Sequence, residues 1–347
     1  MSHPDIRNAT PFAVAALFMA DEQGVPQCVP VVRATFTIGA GGKLAYANEQ
    51  LPVDAAGEPR GDPALASWKY EPEIAFVKPA TDVVLIGHAH APAPNTTSLQ
   101  VGIRVGPLQK LVQVIGDRLL VARSGQAAVS PPRPFERIPL VYERAFGGWD
   151  RRDPREPNHR CERRNPVGRG FRYGEPGADE AHPMPNIEDP QDPFRGYGHT
   201  PAPAGFGFIS AEWQPRASYA GTYDEKWTAN RAPLLPTDFD RRFFNSASPG
   251  LVAPGYLRGD ESVVTLNASP EGRLEFRLPG VPPPVCELYL RGRRAVQVQT
   301  VLDTVVINLD ERVLLLTWRA CHAVRNGPPD LEAMRVSPIV SSVAGAA

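Results

Sequence analysis

The chain of 347 residues is poor in lysine, poor in cysteine and without a long apolar run. Of 37 basic residues only Lys43, Lys69, Lys78, Lys110 and Lys226 are lysines, a bias whose simplest reading is genomic base composition. The net charge of −1 gives no global reason to expect nucleic acid or an anionic membrane as partner. Cys28, Cys161, Cys286 and Cys321 are scattered and form no CxxC pair. A chain of this size needs no disulfide staples, so the reading is reduced thiols in a cytoplasmic protein. The apolar run at 11–20 has no basic cluster before it and is far too short for a bilayer, which leaves an N-terminal strand rather than an export signal. No repeat of 20–50 residues is present. No GxSxG elbow or catalytic-cysteine signature is present either. Gly168-Arg169-Gly170 lacks the lysine and the following helix of a phosphate cradle.

What is abundant is proline (39), glycine (30) and short apolar runs broken by turn residues. Segments 8–19 and 28–38 look like paired strands. Segments 82–91, 98–105, 109–115 and 118–122 follow, with Gly106-Pro107 and Gly116-Asp117 as turns. The same texture returns at 262–267, 273–278, 285–291, 295–300, 304–308 and 313–320. Strands at this spacing, with short connectors, predict a mainly β fold of sandwich or barrel-like sheets.

Between them lies a stretch with neither period. Residues 133–171 hold ten arginines and no lysine against six acidic residues. Residues 201–245 carry Phe206, Phe208, Trp213, Tyr219, Tyr223, Trp227, Phe239, Phe243 and Phe244 among prolines and glycines. A loop-rich middle this long is functional or disordered, and its aromatic content argues for order. The few helical candidates are here: 223–230, with Thr222 as N-cap and Glu225 in a capping box, and a turn or two at 236–243. The expected organisation is one β-rich domain over 1–336. It comprises an N-terminal β part (5–130), an irregular centre (131–260), a C-terminal β part (261–336) and a fraying tail (337–347). Two small β domains joined through the centre are the alternative.

Candidate chemistry is sparse. His88 and His90 share one face of a strand and could begin a metal site, with His159 and Cys161 as distant third and fourth ligands, but a solvent-facing pair is the simpler reading. Glu188-Asp189 and Asp224-Glu225 are carboxylate pairs near aromatic rings, as in carbohydrate-active hydrolases, though adjacent acids are also common in turns and helix starts. Arg151, Arg152, Arg155, Arg160, Arg163 and Arg164 suit a phosphate- or nucleic-acid-binding module. Arg144, Arg163, Arg164 and Arg169 are equally suited to pin loop carbonyls and carboxylates. Arginine, tryptophan and tyrosine are also the residues enriched at interface hot spots. On that basis Arg144, Trp149, Arg164, Arg169, Phe206, Trp213, Tyr219, Tyr223 and Trp227 are the candidate protein-binding residues.

The motifs, taken in order, resemble one family. They are NATPF (8–12), RATF (33–36), KPATD (78–82), GHA (87–89), FERIPLVYERAFGGW (135–149) and RNPVGRGF (164–171), then PNIEDP (185–190), PAPAGFGF (201–208), WQPR (213–216), YAGTYDEKW (219–227), 236–245 and PGYLRG (254–259). The chain is similar in this to the bacterial domain-of-unknown-function 2169 family, encoded beside type VI secretion clusters. The resemblance implies a cytoplasmic adaptor or chaperone that binds a PAAR-like tip protein or toxin effector and helps load it onto the VgrG spike. It implies no enzymatic activity, no cofactor and no metal, and no nucleic-acid or membrane partner. Relatives with C-terminal pentapeptide repeats differ from this chain, which has none.

Overall fold

Leucine and valine at every second position place Ser98–Val105 as a half-buried strand: Leu99, Val101, Ile103 and Val105 are buried while Gln100 and Arg104 face out. Gly106, at a φ of 51°, turns the chain into Leu108–Ile115, with Leu108 opposite Val105. These two strands are the middle of an antiparallel sheet in the order Ile187–Glu188, Leu108–Ile115, Ser98–Val105, Ser262–Leu266, Arg273–Arg277. The larger sheet runs Ala13–Ala20, Pro26–Ile38, Val313–Arg319, Val301–Asn308, Asp82–Ile86, the last two parallel. Leu44–Tyr46 and His322–Ala323 extend it beside Pro26–Ile38. A third sheet sets Asp5–Asn8 parallel to Leu331–Ser337, followed by Val285–Leu290 and Val296–Gln299. The fold is mainly β. The computed structural model describes residues 4–123, 126–174 and 179–338; the expected tail lies, from residue 339 on, outside them. Among the described residues, no helix is long and apolar enough to cross a membrane.

Strands from the two ends of the chain share sheets, and one apolar cluster joins Val32, Leu85 and Leu316 of the larger sheet to Val101, Val112 and Val263 of the second and Leu288 and Met334 of the third. The irregular centre supplies part of that cluster through Tyr142, Phe206, Phe208, Ile209, Trp213 and Leu251. Three local expectations change. The strand at 82–91 breaks at Gly87 into Asp82–Ile86 and His88–His90, and the latter leaves the larger sheet to pair with Arg137–Pro139. The helix is Glu225–Asn230, capped by Asp224, whose Oδ1 accepts the Trp227 amide at 2.8 Å. Thr222 instead donates its amide and hydroxyl to Asp238, at 3.0 and 2.7 Å. A carboxylate two residues nearer the helix wins the cap. At 236–243 the only helical turn begins at Asp240, which caps Arg241–Phe244.

A buried ionic seam ties the sheets to the centre. Glu73 is shared by Arg33 and Arg319, and Arg319 also holds Asp303 through two bonds of 2.8 and 2.6 Å. Lys78 donates to Asp82 at 2.8 Å; the other Asp82 bonds come from the Asn245 side-chain amide and from the N–H and hydroxyl of Ser246. Arg216 joins Glu71 and donates to the carbonyls of Ile209 and Phe243, each at 2.7 Å. Four cations thus face four anions, all nearly without solvent. That burial is costly: it pushes the Asp303 carboxyl up to about 7 and the Arg33 guanidinium down to about 10. Burial would lower the Lys78 ammonium too, but Asp82, Asp303 and Glu71 outweigh it and raise its pKa.

Candidate interaction surface

The arginine-rich centre is ordered by a local device repeated four times: an acid two residues before an arginine. Asp150, Asp153, Glu162 and Asp240 each accept the backbone N–H of Arg152, Arg155, Arg164 and Arg242, at 3.1, 2.8, 3.0 and 2.9 Å. The same carboxylates take the side-chain guanidinium of those arginines. An acceptor that binds both the turn amide and the fork fixes a tight turn and neutralises the charge at once. Burial resists ionisation of Asp150, yet the Arg152 guanidinium and the amides of Tyr173 and Arg152 outweigh it and hold its carboxyl far below the usual range. Asp240 is lowered likewise by Arg242. Because the folded-state pKa lies under the unfolded one, these groups add their full stability above the ordinary carboxylate pKa of about 4 and lose it progressively as the pH falls from there toward the lowered folded-state value. A melting series from pH 7 to 3 is expected to drop steeply below about pH 4, and Asp150→Asn is expected to lower the neutral-pH melting temperature while flattening the acid limb. An acid limb unchanged in the variant would remove Asp150 from this role.

Of the expected pins, Arg144, Arg164 and Arg169 are internal. Arg144 bonds Asp117 and Asn186 at 3.2 Å, Arg169 bonds the Glu143 carbonyl at 3.0 Å, and Arg164 adds the carbonyls of Thr200 and Pro201 to its pair with Glu162. Burial lowers the Arg169 pKa. Arg163 is exposed and is not such a pin. Phe206, fully buried, and Trp213, 3% exposed against Tyr142 at 5.6 Å, are core residues and not surface anchors. Their flanking prolines and glycines look like an exposed loop in sequence, but the chain passes between the sheets there. The other aromatic candidates reach the surface. Trp149 is 45% exposed and Tyr223 53%. Tyr223 rests on Trp227 at 4.7 Å, Trp227 anchors itself to the Leu234 carbonyl at 2.8 Å, and Tyr219 lies 4.4 Å under the Arg242 guanidinium.

The structure therefore brings together Tyr219, Tyr223 and Trp227 in a lobe around the Glu225–Asn230 helix, and sets Trp149 apart. The lobe is fixed to the body by Arg241, which holds Glu22 at 2.7 Å, and by Arg231 on the Glu22 carbonyl. Between the lobe and the body lies a mostly apolar cleft of about 260 Å³ walled by Ile209, Pro215, Tyr219, Arg242, Ala247 and Val252. An open groove of about 670 Å³ runs along Thr222, Trp227, Asn230 and Asp238.

Most of the groups that the sequence offers for catalysis hold the fold, Glu225 and His90 excepted. Glu188 is buried, paired with Arg118, and accepts the Phe194 N–H at 3.1 Å. Asp189 closes a turn on the Gln191 amide, and Asp224 is the helix cap. His88 Nδ1 contacts Asp310 at 2.8 Å and its Nε2 contacts Arg137 at 3.1 Å, while His90 sits 6.4 Å away, its pKa lowered by burial and by Arg137 and His88. Among the described residues, no group of three or more His, Cys, Asp or Glu side chains stands ready for a metal ion.

One constellation has no sequence motif behind it. Ser248 Oγ accepts from Lys110 Nζ at 2.6 Å and from the Tyr142 hydroxyl at 2.8 Å, and donates to the Gly205 carbonyl at 2.8 Å. Burial lowers Lys110 to about 8 and raises Tyr142. A serine beside a lysine of lowered pKa is a nucleophile arrangement, but this hydroxyl is wholly buried and its proton is given to a carbonyl. It knots the second sheet to the centre of the chain. Residues 110, 142 and 248 are too distant in sequence for any local pattern to announce them.

Compared with known proteins, residues 23–319 match the family model DUF2169, described as an uncharacterized protein conserved in bacteria. No curated protein and no solved structure matches the chain.

Proposed function

Because the chain belongs to the DUF2169 family, we propose that it is a non-catalytic cytoplasmic adaptor that binds a PAAR-like tip protein or its toxin effector and helps load it onto the VgrG spike of a type VI secretion system. The observation that carries this reading is the lobe at 219–244: hot-spot residue types, Tyr219, Tyr223, Trp227 and Arg242, stand at the surface of a rigid β body. An adaptor needs such a shaped surface, prepaid in rigidity so that little ordering entropy is lost on docking. The commitment of Glu188, Asp189, Asp224, His88 and Ser248 to structural bonds agrees with a role that involves no covalent chemistry.

The test is co-elution of this chain with the tip-domain protein encoded beside it, at low and high salt. A shared peak that survives high salt is expected. Tyr223→Ala is expected to weaken the complex by about 2 kcal/mol or more, roughly thirtyfold in Kd, with an unchanged melting temperature. A folded, monodisperse chain that elutes apart from the tip-domain protein at both salt concentrations would sink the proposal.

A further inference from the structure

The FGGW turn (146–149) starts a small ladder. Gly147 and Gly148 have φ of 150° and 97°, and a Cβ on Gly147 would stand 2.1 Å from the Asn165 carbonyl oxygen, so only glycine lets the two segments close. Trp149–Asp150 then pairs antiparallel with Arg160–Cys161, Trp149 opposite Cys161 and Asp150 opposite Arg160. The Arg151 guanidinium lies 5.0 Å from the centre of the Trp149 ring, and Arg160 lies 5.7 Å from that of Tyr173, which is 65% exposed. Cys161, opposite Trp149 in the ladder, is raised to about 11 by burial and by Glu162 and pulled the other way by Arg151 and Arg163.

Charge separates these three arginines from their neighbours. Arg152, Arg155 and Arg164 are each neutralised by the acid two residues before them, whereas Arg151, Arg160 and Arg163 have no carboxylate within salt-bridge distance among the described residues. The ladder is thus an electropositive strip with two exposed rings, on a chain whose net charge is −1. We propose that this strip docks an acidic segment of a protein partner, its carboxylates on the forks of Arg151, Arg160 and Arg163 and its aliphatic side chains across Trp149 and Tyr173. The inference names a partner chemistry for the adaptor proposed above and rests on that reading. Nucleic acid fits less well: three arginines make no continuous phosphate track.

The probe is a labelled peptide repeating Asp-Leu-Glu-Gly, compared with its Asn-Leu-Gln-Gly counterpart and with an oligo-dT strand, titrated with the full chain by fluorescence anisotropy. The acidic peptide is expected to bind at least about tenfold tighter than the neutral one, and less tightly as salt rises. Replacing Arg151, Arg160 and Arg163 together by alanine is expected to remove about tenfold of that affinity, and Trp149→Ala a similar factor, with melting temperatures unchanged. The proposal is overturned if the two peptides bind alike, if the triple variant binds the acidic peptide as the parent does, or if oligo-dT binds tighter than the peptide and is lost in the triple variant. Co-elution with the tip-domain protein needs no peptide. A failed peptide titration with co-elution intact therefore overturns this inference alone, while peptide binding without co-elution overturns the adaptor reading.

Discussion

Replacing Glu73 by glutamine is expected to destabilise the protein by about 3–5 kcal/mol, a fall in melting temperature of about 4–7 °C. Glu73 is the sole carboxylate between Arg33 and Arg319, which come from neighbouring strands of the larger sheet. Glutamine keeps the shape and one acceptor but removes the charge. Of the two guanidinium groups, both already stripped of water, only Arg319 then keeps an ion pair, the one with Asp303, and Arg33 is left without one. The loss measures an uncompensated charge and not the net worth of the pair, because burying the ions was itself costly. The cycle partner is Arg33→Met: the double variant is expected to lose less than the sum of the singles. Melting of Glu73→Gln within about 1 kcal/mol of the parent, with additive singles, would mean that the seam is wetted and that its charges are independent.

Trp213→Ala is expected to cost about 3–5 kcal/mol through the cavity it leaves. The indole is packed edge-on against Tyr142, whose hydroxyl reaches Ser248 and through it Lys110, so the loss loosens the contact between the second sheet and the centre of the chain. Trp149→Ala, by contrast, is expected to stay within about 0.5 kcal/mol of the parent, as substitutions at exposed positions do. Chemical denaturation of the two variants in parallel separates core from surface tryptophan. A Trp213→Ala protein as stable as the parent would place that ring outside the core and return it to the list of binding anchors.

The contrast between the two tryptophans shows how far residue type can be read. Both stand in a segment rich in proline, glycine and arginine, and both are hot-spot residues by composition. What decides is whether the chain at that point runs between sheets, as at Trp213, or around a turn closed by Gly147 and Gly148, as at Trp149. The pins divide in the same way. Arg152, Arg155, Arg164 and Arg242 are legible as an acid followed two residues later by arginine, because the turn is local. Arg144 and Arg169 meet on Asn186, which no spacing announces.

By itself the sequence determined most strands of the two larger sheets and most of their turns. Alternation in Ser98–Val105 and Arg273–Arg277 is a period-2 signal that any half-buried sheet imposes, and Gly106-Pro107 is a turn by its own backbone preferences. It also determined the family, through motifs spread along the chain in a fixed order. The tertiary structure alone decided which strands share a sheet, that Leu331–Ser337 is a strand held by Asp5–Asn8 and Val285–Leu290, and that Arg33, Glu73, Asp303 and Arg319 meet. Those contacts join residues up to hundreds of positions apart, and their energy comes from excluding water around charges and rings. Local propensity carries no record of that environment until the sheets have closed around it.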